Sequence, residues 1–182
     1  AGDGTNLLTY NFLTIAKAAI VAKRFERLLA RAKVSLALSM EGYRANPSPI
    51  SKTAMAAATL DSKREVQKQM QFLLKGSKLW EKGGPRRLQD YLSMRTSADL
   101  LAAVDTALVR LEVTLGKYFN ALQVSPMIDV KTGRIMSVTE YDTTQLTLDM
   151  DHFRQALGLM AIATNSRALK VMSRPFSDLP SG

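Results

Sequence analysis

No cysteine occurs among the 182 residues, which excludes disulfides, thiolate catalysis and Cys-ligated metals. Histidine occurs once, as His152, so neither a His-rich metal site nor a Ser-His-Asp triad is expected. No apolar run nears the ~20 residues that span a bilayer. No charged segment leads into an apolar core and a small-residue cleavage site, so no secretory leader is visible. These absences lead us to expect a cytoplasmic protein without a membrane segment, folded as one domain over 1–182.

Hydrophobic residues make up 46% of the chain, enough to bury a real core. The net charge is +9. Such a surplus suits nucleic acid or an acidic partner, and equally a solvated basic surface or one face of a larger assembly. Lys23, Arg24, Arg27, Arg31 and Lys33 fall on a helical pattern with apolar residues between them, as do Lys63, Arg64, Lys68, Lys75 and Lys78. Few aromatics are interleaved to stack bases, and no nucleic-acid motif accompanies the charge. Nucleic acid is therefore not the expected partner.

Periodicity predicts an all-α fold: a bundle of four long helices with a minor β-hairpin. The first helix is expected from about Asn6 to Arg44, with Ile15, Ala22, Phe25 and Leu29 on its apolar side. The prolines of "NPSPI" end it. A second is expected from about Ser62 to Lys75, with Gly76 as C-cap. A third starts after Thr96 or Ser97, where "SADL" offers a cap and an early acid, and runs to about Leu122. "MIDVKTGRIMS" reads as a hairpin turning at Lys131-Thr132-Gly133. The fourth helix is expected from Thr144 to Met172, before a proline-broken tail.

Three stretches offer chemistry. Gly2-Asp3-Gly4-Thr5 resembles a nucleotide-kinase phosphate loop, but such loops need a preceding strand and only Ala1 stands before it. A helix start is the better reading, with Thr5 or Asn6 as cap and Asp3 near the positive dipole end. "RRLQDYLSMRTSADL" gathers Gln89, Asp90, Tyr91, Ser93 and Arg95 in an expected non-helical connection. Arg95 there could clamp a carboxylate in bidentate fashion, or the stretch could be a salt-bridged connection. Asp149, Asp151 and His152 do not converge at helical spacing, so a polar face is expected instead of a metal site. The nine methionines read as core or contact filler.

Together these stretches resemble the histidine and phenylalanine ammonia-lyase family with its related aminomutases. "RRLQDYLSMR" matches the family's Arg-Val-Gln-Asp-x-Tyr-Ser-Leu-Arg at Gln89, Asp90, Ser93 and Arg95 without gaps. Asp3 to Thr5 resembles its Asn-Gly-Thr helix start, and "LLKGS" its Leu-Leu-x-Gly-Ser. "YFNALQVSPMI" keeps Asn120, Ala121 and Pro126 of its Asn-Pro segment. "SVTEYDTTQLTLDMDHFRQAL" resembles Gly-Gly-Asn-Phe-His-Gly-Glu-Pro and the helix after it, and "DLPSG" its Gly-Leu-Pro. All of these blocks occur in the family's order.

The resemblance implies a fold like the central helical region of these enzymes and a C–N lyase or aminomutase acting on an α-amino acid. It also implies a methylidene-imidazolone electrophile formed from an Ala-Ser-Gly tripeptide, a tyrosine base, and homotetramers whose active sites draw on several chains. By the same resemblance, Arg95 binds the substrate carboxylate, Gln89 lies near the prosthetic group, Asp3 takes the place of an active-site Asn, and Tyr141 that of an active-site Phe.

Departures accompany the match. No Ala-Ser-Gly occurs, so the electrophile is expected from a partner chain in a homo- or hetero-oligomer. The motif's Tyr falls at Leu92, which leaves the adjacent Tyr91 as the catalytic candidate. The family's Phe-His reads Tyr141-Asp142, its following Glu reads Thr144, and "AAATLDSK" replaces its Arg-x-His-x-Gly-Gln. The chain is thus expected to be one piece of a split or cleaved enzyme, or a degenerate relative acting as a non-catalytic helical binding protein.

Overall fold

The structure, a computed structural model, describes Gly4 and residues 10–180. Asp3, Thr5, Asn6 and the expected start of the first helix lie outside the described residues. From there the chain forms α1 (Phe12–Tyr43), a 3-10 turn (Ser48–Ile50), α2 (Lys52–Ala56) and α3 (Asp61–Leu73). A second 3-10 turn (Lys78–Trp80), α4 (Leu92–Arg95) and α5 (Ser97–Phe119) follow. The hairpin strands β1 (Met127–Ile128) and β2 (Ile135–Met136), then α6 (Thr144–Met172) and α7 (Arg174–Ser177), complete it. The all-α expectation holds.

Helix α5 is the centre of the bundle and packs against α1, α3 and α6. Its residues Leu101, Val104, Leu108, Leu111 and Leu115 recur at three- and four-residue spacing and are all buried. They meet Leu29 and Leu36 of α1, Val66 and Met70 of α3, and Phe153 of α6 in one apolar cluster. Phe25 packs edge-on against Phe153 with centroids 5.1 Å apart, joining α1 to α6.

The boundaries follow local chemistry. Arg44 ends α1 in the left-handed region, at φ 56°, and Pro47 follows shortly after. Leu74, not Gly76, caps α3; Gly76 supplies the positive φ of the turn beyond it. The expected side-chain cap of α5 is absent, because the Thr96 hydroxyl donates back to the Leu92 carbonyl at 2.8 Å. Asp99 does stand in the first turn of α5. The hairpin pairs Met127 with Met136 and Ile128 with Ile135. Its turn is held by Asp129, which accepts from the Lys131 amide at 3.0 Å and the Thr132 hydroxyl at 2.5 Å.

Candidate functional site

Three pieces of chain converge at one end of the bundle: the end of α1, the connection ahead of α5, and the end of α6 with α7. Arg44 donates to the carbonyls of Gly83 at 2.8 Å and Gly84 at 3.0 Å, and its own carbonyl accepts from the Arg86 amide at 3.0 Å. The Asn46 amide donates to buried Asp90 at 2.5 Å, and the Asn46 side chain reaches the Leu88 carbonyl at 2.7 Å. Arg86 donates to the Phe176 carbonyl at 2.8 Å and pairs with Asp178. A loop rich in polar side chains is thereby fastened at both sides.

Tyr91 sits inside this frame. Its ring meets Phe176 edge-on with centroids 5.3 Å apart, and the Lys170 ammonium lies 4.8 Å from the Tyr91 centroid and 3.7 Å from that of Phe176. Arg87 donates to the Tyr91 hydroxyl at 3.0 Å, and this bond raises the guanidinium's affinity for its proton. Behind them, buried Tyr43 lies under the Arg86 guanidinium, 5.3 Å from its ring centroid. Burial pushes the Tyr43 phenol above its usual value. The connection is not wholly non-helical: residues 92–95 close one helical turn, α4, whose first residue follows Tyr91.

The 88–95 segment divides into two faces. Asp90, Ser93 and Met94 are buried. Leu88, Gln89 and Leu92 are exposed, Leu92 by 63%, and Arg95 is half-buried. Among the described residues the Arg95 guanidinium has no carboxylate partner. The buried residues hold the scaffold, the Gln89 amide is open to solvent, and the Arg95 guanidinium is half-covered.

Tyr141 lies elsewhere. It is exposed, and its carbonyl accepts from the Asn11 side chain at 2.8 Å, immediately before α1. The 86–90 loop is tied instead to residues just after α1. The 32 residues of α1 therefore separate the two places by about 48 Å along its axis. Within one chain the structure brings Tyr91 and Gln89 onto one segment with Arg95 and leaves Tyr141 at the far end.

The expected polar face at Asp149 is a correction: Asp149 is buried, whereas Asp151 and His152 are exposed. Asp149 accepts from Arg110 at 2.5 Å and from the buried Thr114 hydroxyl at 2.6 Å. Burial alone would raise its pKa, but hydrogen bonds from Thr114, Gln145 and Arg110 outweigh burial and hold the carboxyl below its usual range. Among the described residues no group of three or more His, Asp or Glu could hold a metal. Of the basic residues on the helical pattern, Lys23, Lys33, Lys63, Arg64 and Lys68 pair with carboxylates. No described helix is long and apolar enough to cross a membrane.

The family model for aromatic amino acid lyase matches residues 1–182. The chain belongs to the aromatic amino acid lyase family. A histidine ammonia-lyase of Shouchella clausii is 23% identical over 180 residues, covering 99% of this chain and 36% of the relative. Ergothionase from Treponema denticola superposes with a TM-score of 0.85 at 22% identity, covering 92% of this chain and 34% of that one. Pantoea agglomerans phenylalanine aminomutase gives 0.80 at 21% identity, over 92% and 36%. This chain thus spans about a third of the length of the relatives it matches. The family's methylidene-imidazolone group forms in the full-length enzyme, and no Ala-Ser-Gly stands in these 182 residues.

Proposed function

We propose that this chain supplies the carboxylate-binding wall of an aromatic amino acid ammonia-lyase or aminomutase-like assembly in the cytoplasm. The observation that carries this reading is the division of the 88–95 segment. Of the positions that match the family motif, Gln89 is exposed and Arg95 half-buried without a carboxylate partner among the described residues, while Asp90 and Ser93 form the buried scaffold. Arg95 offers a planar pair of donors to the carboxylate of an α-amino acid. Tyr91 is the candidate base, with its hydroxyl oxygen held as an acceptor by Arg87.

The exposed Gln89 amide makes no hydrogen bond of its own among the described residues, so it fits a hydrogen-bonding neighbour of the prosthetic group. When bound, that group supplies an electrophile for the substrate's amine or ring. In this reading it comes from a partner polypeptide. Tyr141 and Asp3 complete the same site from a second copy or partner, which accounts for the 48 Å of helix between Tyr141 and Arg95 in one chain, a length of about 1.5 Å per residue.

Co-expression with a neighbouring chain carrying Ala-Ser-Gly tests the proposal. Association and release of an unsaturated acid or a β-amino acid are expected, with Arg95→Ala raising KM. An Arg95→Ala assembly with unchanged KM would overturn it. A second reading, a non-catalytic helical binding protein, is favoured by Leu92, which puts an exposed aliphatic side chain where the family motif has its Tyr. That reading expects association with a partner and no turnover.

A further inference from the structure

A buried guanidinium is costly unless something answers its charge, because arginine does not give up its proton at any ordinary pH. Three charged side chains are buried among the described residues: Asp90, Asp149 and Arg167. Asp90 is answered by the Asn46 amide, and Asp149 by Arg110 and Thr114. Arg167, on α6, is only 7% exposed, and among the described residues no carboxylate pairs with it. Burial pushes its pKa below the usual arginine value, and no neighbouring charge opposes that push.

Arg167 lines a small cavity between α1, α5 and α6. Leu36 of α1 and Leu101 of α5 are its buried apolar walls, and Ser97 of α5 and Thr164 of α6 bring hydroxyls to it. Thr164 is exposed, so the cavity meets solvent on that side. It stands one helical turn before Arg167 on the same face of α6 and offers a second donor there. The Ser97 proton is already committed to the Ser93 carbonyl at 2.6 Å.

The size of the cavity selects what can answer the charge. Its volume is about 10 Å³, room for about one water-sized sphere. The three long helices of this chain already cover more than nine-tenths of Arg167, so its burial does not depend on any further chain. A carboxylate side chain arriving from outside needs more room than one such sphere. A water molecule fits but leaves the guanidinium uncompensated. A single-atom anion fits and neutralises it.

We propose that Arg167 and Thr164 hold one halide ion, chloride in ordinary saline, in the cavity between α1, α5 and α6. The ion balances the buried guanidinium and ties α6 to the start of α5. It sits behind the scaffold of the 88–95 segment, because Ser97 in the same wall holds the Ser93 carbonyl. The site stands independently of the lyase reading.

Thermal melts of the full chain in sodium chloride and in sodium gluconate, at equal ionic strength, test it; gluconate is too large to enter. The gain from chloride over gluconate is expected to be about 2–4 °C larger in the wild type than in Arg167→Met. Thr164→Asp sets a carboxylate one turn from Arg167 at an exposed position. It should also remove the extra gain, and it carries the test if Arg167→Met fails to fold. Lys17→Gln, an exposed lysine outside the cavity, should keep the gain. Chloride NMR is expected to show a resonance broadened by the wild type and narrowed again by added bromide. A wild type that responds to chloride no more than Thr164→Asp does, or that leaves the chloride resonance sharp, would overturn the proposal.

Discussion

Arg87 donates a hydrogen bond to the Tyr91 hydroxyl at 3.0 Å, and the same guanidinium lies 5.5 Å from the centre of the Tyr91 ring. Four residues of loop thus fix both the oxygen and the plane of one side chain. Phe176 and Lys170 hold the remaining sides of the ring. In an active assembly, Tyr91→Phe is expected to lower kcat by about 10²–10⁴-fold, the usual contribution of a positioned acid or base. Arg87→Met should lower kcat less and leave KM alone. Full turnover by Tyr91→Phe removes Tyr91 from the chemistry.

Asp149 gives a prediction about pH. Its carboxyl titrates below the usual range because Thr114, Gln145 and Arg110 hydrogen-bond to it, against the opposing effect of burial. A depressed folded-state pKa binds protons less tightly than the unfolded chain does. The resulting stability is present above the unfolded value of about 3.9 and is lost as pH falls through the folded value. Asp149→Ala should cost about 1–3 kcal/mol at neutral pH by stranding the buried Thr114 hydroxyl. Urea melts at pH 7 and pH 3 check this, and the difference between wild type and variant should shrink at pH 3.

Much of the fold was legible in the sequence, and the reasons are local. The apolar residues of α6 recur at helical spacing from Leu146 to Met160 and Pro175 follows Met172, so the helix could be read although Asp149 and Arg167 are buried within it. The four residues of α4 are too few to show a period, so a turn of helix hid inside an expected loop. The motif at 87–95 announced the family, but its two faces emerge only from packing. Asp149 escaped because its partners, Arg110 and Thr114, stand 39 and 35 residues away on another helix. Helical periodicity also cannot say which loops share an end of the bundle. The separation of Tyr141 from Arg95 needed the hydrogen bonds of Asn11 and Asn46.

Gly84 should resist substitution. A β-carbon there would collide with the Lys78 carbonyl, a backbone atom that cannot swing aside as a flexible side chain would. The Gly84 carbonyl also accepts from Arg44 at 3.0 Å, so a shift of this residue loosens the link between α1 and the 86–91 loop. Gly84→Ala is expected to cost about 1–3 kcal/mol, the usual penalty of overpacking. Chemical denaturation measures it, and proteolysis should show new cleavage near Arg86 and Arg87. A neutral Gly84→Ala would mean that the loop moves freely.

Glu112 should behave in the opposite sense to Asp149. Its carboxyl is raised, first by burial and then by Glu26, with Lys23 opposing weakly. A raised carboxyl binds protons more tightly in the folded state, so the folded chain loses stability as pH rises from the unfolded value through the folded one. Above that window the ionised Glu112 is a cost. Glu112→Gln removes the charge and keeps the shape, and should therefore raise the melting temperature at pH 7. The gain should fade as pH falls toward 4, where Glu112 is protonated in both states. Thermal melts across pH 4 to 8 read this directly. A variant less stable than wild type at pH 7 would show that the ionised carboxylate is held by a partner and is not repelled by Glu26.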